Sequence, residues 1–174
     1  MTDYEAIVYD LDGTIVHLDV DWRAVAADAK AVYERAGIDP PGESGWELLW
    51  GADEADLRDR VERVISDHER EGARSARRLP LADELVAREL PVGICSLNCE
   101  AACRIALDAH GLADQVDVVV GRDSVDGSKP DPEPLLAAVE ALSATPEEAL
   151  FVGDSESDET TAKRAGTTFR YVPD

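Results

Sequence analysis

The sequence predicts an α/β fold, a doubly wound parallel sheet into which a small α-helical unit is inserted. Three observations carry that expectation. Short apolar runs rich in Val and Ile recur at residues 6–9, 92–95, 116–120, 149–152 and 168–172. Runs of this length without polar alternation suit strands buried on both faces of a parallel sheet. Helical patterns lie between them at 79–89, 100–110, 132–142 and 157–165, and strand–helix alternation marks a doubly wound sheet. The third observation is an exception: the stretch from Val16 to about Arg78 holds no convincing strand.

Within that stretch, residues 22–36 read as an amphipathic helix ending at Gly37, and Asp39-Pro40-Pro41-Gly42 as a turn. Residues 53–72 read as a second helix, dense in alternating Asp, Glu and Arg. So long an interval exceeds the needs of one crossover helix. The expected organisation is therefore a core of residues 1–15 and 80–174, with a helical domain of residues 16–79 after the first strand. Hinges fall near 15–21 and 78–81.

Composition bounds the function. The 174 residues suit one domain, or one domain with an insert, and 44% hydrophobic content allows a real core. No stretch reaches the roughly 18 apolar residues of a membrane span, and the first residues do not resemble a signal peptide. With 17 basic against 38 acidic residues, the formal net charge is −21. That balance argues against nucleic-acid backbones and anionic lipid as partners, and a cytoplasmic protein is expected. Lys30, Lys129 and Lys163 are the only lysines, and the acids are dispersed rather than gathered in a tail. Dispersed acids repel one another unless ions screen them, so the surface reads as adapted to a salt-rich cytoplasm. Cys95, Cys99 and Cys103 lack a nearby His or a fourth Cys to complete a metal site, so buried free thiols are expected.

Four segments carry chemistry, each after an apolar run. The first run leads into Asp10-Leu11-Asp12-Gly13-Thr14. In extended chain the side chains at i and i+2 point the same way, so Asp10 and Asp12 face one site while Leu11 faces the core. Two carboxylates held together are neutralised by a cation or share a proton. The second run ends Cys95-Ser96-Leu97-Asn98. Taken alone, Ser96 reads as an ordinary helix N-cap; in a site it offers a hydroxyl to an anion. The third segment, Gly127-Ser128-Lys129-Pro130-Asp131-Pro132, holds one lysine on a stiff proline-rich loop. A compact ammonium suits a phosphate oxygen or a carboxylate needing neutralisation. The fourth, Gly153-Asp154-Ser155-Glu156-Ser157-Asp158, delivers two acids one helical turn apart, a donor set that suits Mg²⁺. All four lie at carboxyl ends of expected parallel strands, where open α/β sheets bind ligands. Carboxylates for a hard cation, with a Ser and a Lys for an anion, are the equipment of phosphoryl transfer.

These motifs resemble those of haloacid dehalogenase-superfamily phosphatases, whose core is a Rossmann-like sheet. The resemblance covers essentially the whole chain. Asp10 through Thr14 match the family's first motif, Ser96 its second, Lys129-Pro130 its third, and Gly153-Asp154 through Asp158 its fourth. The insert resembles the helical cap of the subgroup that includes phosphoglycolate phosphatase and β-phosphoglucomutase. The resemblance implies that Asp10 is the nucleophile and forms an aspartyl-phosphate. Asp12 would protonate the leaving alcohol and then activate water. It implies Mg²⁺ held by Asp10, Asp12 (through its backbone carbonyl), Asp154 and, from farther out, Asp158. Ser96, Asn98 and Lys129 would hold the phosphoryl group of a small phosphorylated metabolite. Three departures stand out: Leu97 precedes Asn98 where the family places Asn directly after the Ser, His17 stands where an acid is usual, and the sequence ends soon after the fifth strand. A phosphomutase and a non-enzymatic phospho-acceptor domain are the competing readings. Monomer and dimer stay open. Trp22, Arg23, Trp46 and Trp50 are candidates to face the substrate, although three tryptophans in a small helical bundle are expected to form its core.

Overall fold

The computed structural model describes residues 3–174. Five parallel strands form the main sheet: β1 (Ala6–Tyr9), β4 (Val92–Cys95), β5 (Val118–Val120), β6 (Ala149–Gly153) and β7 (Thr168–Tyr171). Their spatial order is β5-β4-β1-β6-β7, with Val8 of β1 in register with Gly93 on one side and Phe151 on the other. Every residue of β1, β4 and β6 is buried, as unalternated apolar runs require. Successive side chains of β1 take opposite faces. Ile7 and Tyr9 join one core with α4 (Leu81–Val86) and α5 (Glu100–Ala109), whereas Ala6 and Val8 join another with α6 (Glu133–Ala141) and α7 (Glu156–Ala165). Full burial contributes about 1.5–3 kcal/mol per large aliphatic side chain, so these two layers hold the sheet rigid.

From β1 the chain builds outward to β4 and β5, then returns to the other side of β1 for β6 and β7. The reversal falls between β1 and β6. Their carboxyl ends therefore border a topological switch point, the crevice where open sheets bind ligands.

Between β1 and β4 lie α1 (Trp22–Arg35), α2 (Gly45–Trp50) and α3 (Arg58–Arg74), which share their own core around Val25, Tyr33, Leu48, Leu49, Val61 and Ile65. Asp21 caps α1 by accepting from the Arg23 and Ala24 amides. Three features differ from the sequence reading. Helix α2 was not expected; Ser44 and Glu47 form the capping box that starts it. Residues 53–57 precede α3 as a turn, in which Asp56 has φ +55°. Finally, the stretch does contain strand: β2 (Val16–His17) and β3 (Arg77–Arg78) pair antiparallel where the helical segment leaves and rejoins the sheet. Such two-residue ladders carry no hydrophobic run, which is why periodicity misses them.

Other bounds tighten. Helix α4 is shorter than the 79–89 pattern, and β5 starts at Val118 because residues 113–115 form a 3₁₀ turn. All three cysteines are free and buried. Among the described residues no helix is long and apolar enough to cross a membrane.

Candidate active site

The site grows from the end of β1. The Asp10 amide donates to the Val152 carbonyl at 2.8 Å, so the ladder with β6 continues one residue past the strand and fixes the Asp10 backbone. Leu11 is buried in the core, while Asp10 and Asp12 line one cavity of about 250 Å³ together with Ser96, Asn98, Lys129, Asp154 and Asp158. The structure thus brings together every residue that the motifs singled out. Gly13 turns the chain at φ +86°, and a Cβ there would lie 2.2 Å from Asp154 Oδ2. The first loop therefore packs its bare backbone against the acid that follows β6.

Lys129 ties the third and fourth segments to the first. Its buried Nζ donates to Asp10 Oδ1 at 2.8 Å, to Asp158 Oδ1 at 2.5 Å and to the Cys95 carbonyl at 3.2 Å. Asp158 is buried rather than solvated, and its Oδ2 accepts from the Ser155 hydroxyl at 2.8 Å within the capping box that starts α7. Asp154, one turn earlier, is exposed to the cavity mouth.

Crowding of acids shapes the electrostatics. Burial pushes the Asp10 carboxyl up to about 7; the Lys129 ammonium counters this, and the Asp158 and Asp154 carboxylates add to it. Burial alone would lower Lys129, but Asp10 and Asp158 outweigh it and hold the ammonium above its ordinary value. The Asp12 carboxyl is also raised, chiefly by burial, although the Leu18 amide at 2.9 Å and the His17 ring pull it down. His17, standing where an acid is usual, sits 3.6 Å from Asp12.

The donor set suits a hard cation. One carboxylate oxygen from each of Asp10, Asp154 and Asp158 lies within 4.8 Å of the others, with no thiol or imidazole in the group. Oxygen-only ligands of this kind fit Mg²⁺, and a single lysine leaves their charge undercompensated.

Ser96 does not cap α5. That helix begins after Cys99, and the Ser96 hydroxyl instead donates to Asn98 Oδ1 at 3.0 Å while accepting from the Asn98 amide at 3.1 Å. Asn98 Nδ2 in turn donates to Glu69 Oε1 at 3.1 Å, and the Cys99 amide donates to Glu69 Oε2 at 3.0 Å. Glu69 belongs to α3, so a helix from outside the sheet supplies the acceptor for the start of α5. Arg122 completes this network. Its guanidinium donates to Glu69, to Glu62 and to the Leu97 carbonyl, the last at 2.7 Å. Both Glu69 and Arg122 are buried. Sequence reasoning missed this network because Arg122 lies 53 and 60 residues from Glu69 and Glu62, and alternating charge on 53–72 reads as a solvated face.

The tryptophans also correct the sequence reading. None of the three is fully buried: Trp22 is 36% and Trp50 is 51% exposed. Trp22 and Trp46 line the cavity beside Leu97, their ring centroids 5.2 Å apart, and Arg122 lies over the Trp46 ring at 5.4 Å. Leu48, Leu49 and Tyr33 form the helical core, with Trp46 packed partly buried against it; the expected tryptophan core therefore holds in part, for Trp46 alone. Arg23 and Trp50 do not line this cavity.

Comparison with known proteins agrees with this architecture. The chain is 33% identical over 184 residues to a phosphoglycolate phosphatase of Rhodospirillum rubrum, spanning 93% of this chain and 76% of that protein. A solved structure from Lactobacillus plantarum superposes with a TM-score of 0.73 at 25% identity, covering 99% of this chain and 87% of the other. A HAD-superfamily hydrolase, subfamily IA, from Geobacter sulfurreducens gives a TM-score of 0.65 at 25% identity, covering 95% and 88%. The sequence profile of the haloacid dehalogenase-like hydrolases matches residues 7–172, nearly the full length, and the chain belongs to that family.

Proposed function

We propose that the protein is a Mg²⁺-dependent phosphatase that hydrolyses a small phosphorylated metabolite through an aspartyl-phosphate on Asp10. The observation that carries this reading is the meeting of Asp10, Asp154 and Asp158 with Lys129 at the switch point, beside a second acid, Asp12. The named activity of the Rhodospirillum rubrum relative, phosphoglycolate hydrolysis, supports the reaction class.

Each residue has a part that its surroundings suit. Asp10 is fixed at its backbone by Val152 and at Oδ1 by Lys129, so Oδ2, which accepts only a long 3.4 Å hydrogen bond from the Thr14 hydroxyl, is the oxygen available to attack phosphorus. Splitting hydrolysis into attack by a carboxylate and then by water makes two easier steps of one hard step. Asp12, with its carboxyl raised, gives a proton to the departing alcohol and then takes one from water, and the Leu18 amide keeps it oriented. Ser96, Asn98 and Lys129 would hold the phosphoryl oxygens, the Ser96 hydroxyl turning from Asn98 Oδ1 and Lys129 sharing the donor that now lies on Asp10. Asp10, Asp154 and Asp158, with the backbone of Asp12, would hold Mg²⁺; bound there it neutralises phosphoryl charge. Helices α1–α3 act as a cap over the cavity, residues 16–79 forming one unit and residues 1–15 with 80–174 the catalytic core. The dispersed acids fit work in a salt-rich cytoplasm.

Asp10→Asn tests the reading. The fold should persist, because an amide occupies the same volume, and phosphate release should vanish since no acyl-phosphate forms. Uncatalysed phosphate-monoester hydrolysis is among the slowest known reactions, so no background masks the loss. Near-normal turnover in that variant, with deamidation excluded by mass spectrometry, would sink the assignment.

A further inference from the structure

Resting on that phosphatase reading, we infer that the substrate's leaving alcohol carries no negative charge and packs its C–H groups against Trp22 and Trp46. These two side chains would then select against carboxylate-bearing esters, phosphoglycolate included.

Charge comes first. Among the described residues, the cavity presents four carboxyls, from Asp10, Asp12, Asp154 and Asp158, and one cation, Lys129. One divalent cation brings the positive charges to three, which the carboxyls match even while Asp12 carries the proton it gives to the leaving alcohol, so none is left over. The phosphoryl group is itself anionic and uses whatever positive charge is available. A second anion on the leaving group would meet no counter-charge. Lys129 has no donor to spare for it: Asp158 and the Cys95 carbonyl hold two of its three, and the third, on Asp10, lies at the reacting centre where the phosphoryl group claims it. Arg122 is also committed: its guanidinium is buried and hydrogen-bonded to Glu62, Glu69 and the Leu97 carbonyl. Arg23 does not line the cavity; it lines a neighbouring hollow that shares Trp22 and Trp46 with it, where Glu43 is the adjacent charge.

The wall chemistry points the same way. Trp22, Trp46 and Leu97 form the apolar part of the lining. An indole ring carries a negative quadrupole over its plane, which attracts polarised C–H groups and cations and repels carboxylates. Arg122 over the Trp46 ring is one such contact already in place. Sugar rings and amino alcohols both offer such C–H groups.

The test is steady-state hydrolysis by the full chain with Mg²⁺ in molar KCl. The substrates are methyl phosphate, ribose 5-phosphate, phosphocholine, phosphoglycolate and the uncharged phosphoglycolamide. The amide should exceed phosphoglycolate in kcat/KM by about tenfold or more, since the two differ in one buried charge. Ribose 5-phosphate or phosphocholine should exceed methyl phosphate, and whichever leads identifies a neutral or a cationic alcohol. Trp22→Ala and Trp46→Ala should each reduce that preference by about 2- to 12-fold, mainly through KM, the range that aromatic contacts support. Trp22 is partly exposed, so its variant keeps the test alive if Trp46→Ala fails to fold. Phosphoglycolate matching or beating its amide would overturn the inference, as would unchanged preference in both variants. Failure to hydrolyse any ester would instead overturn the phosphatase reading, and this inference with it.

Discussion

Gly13 occupies a position where two constraints coincide. Its φ of +86° lies where an L side chain is strained, and the direction a Cβ would take is filled by the Asp154 carboxylate. Gly13→Ala should therefore push Asp154 aside. A displacement of about 1 Å near reacting groups can cost about 100-fold in rate, and a loss of that order in kcat is expected. The Mg²⁺ concentration for half-maximal activity should rise in parallel, which a metal titration reads directly. An unchanged metal titration would mean that Asp154 takes no part in binding. The acids themselves were legible in the sequence, because alternation along a strand puts Asp10 and Asp12 on one side whatever the rest of the fold does. Trp22 and Trp46 were not. Which side of α1 and α2 meets the cavity depends on how the helical segment docks, and local pattern does not encode that.

Helix α3 acts at the scale of an element, since it reaches across to start another helix. Glu69 and Arg122 bury their charges against each other, with side-chain exposures of 0% and 3%. Removing one partner of such a pair costs about 3–5 kcal/mol, because the other charge stays buried and unpaired. Arg122→Met should lower Tm by about 6–20 °C at the 2–4 °C per kcal/mol expected for a chain of this size. The Arg122→Met, Glu69→Leu double variant should recover part of that loss, and additive losses in the cycle would refute direct coupling. Glu62 gives the same network a pH signature. Burial raises its carboxyl, but the Arg122 hydrogen bonds and charge outweigh burial and hold it below its usual value. Its contribution is therefore full above the ordinary Glu pKa of about 4.3 and fades as pH falls through the depressed one. Against Glu62→Gln, the wild-type urea midpoint should lose its advantage as pH drops below about 4.3. The main sheet was legible because its Val- and Ile-rich runs are buried on both faces. Helix α2 could also have been read, since Ser44-Gly45-Trp46-Glu47 carries the capping-box spacing. The β2–β3 ladder and the Glu69–Arg122 pair leave no local trace, because both are made by residues dozens of positions apart.

For the whole molecule the controlling quantity is the net charge of −21. Folding brings surface carboxylates closer than the unfolded chain would, and neighbouring acids sit within the Debye length of about 8 Å at 0.15 M salt. Raising NaCl to 2 M should raise Tm and sustain activity, beyond what sucrose does at matched osmolality. A variant with Asp53, Glu54, Asp56 and Asp59 changed to their amides should depend less on salt. Equal stability at 0.05 M and 2 M NaCl would refute the electrostatic account. The buried thiols add a clock to this picture. Burial pushes Cys95 up to about 12 and Cys99 up to about 11, and it raises Cys103 as well. Thiolate is the reactive form, so an alkylating reagent at neutral pH finds almost nothing to attack in the closed protein. Each labelling event then records a moment when the end of β4 and the start of α5 stood open to solvent. The molecule carries three natural timers of its own breathing, placed directly beneath the loop of Ser96, and they should slow as salt, Mg²⁺ or a phosphate ester closes the structure around them.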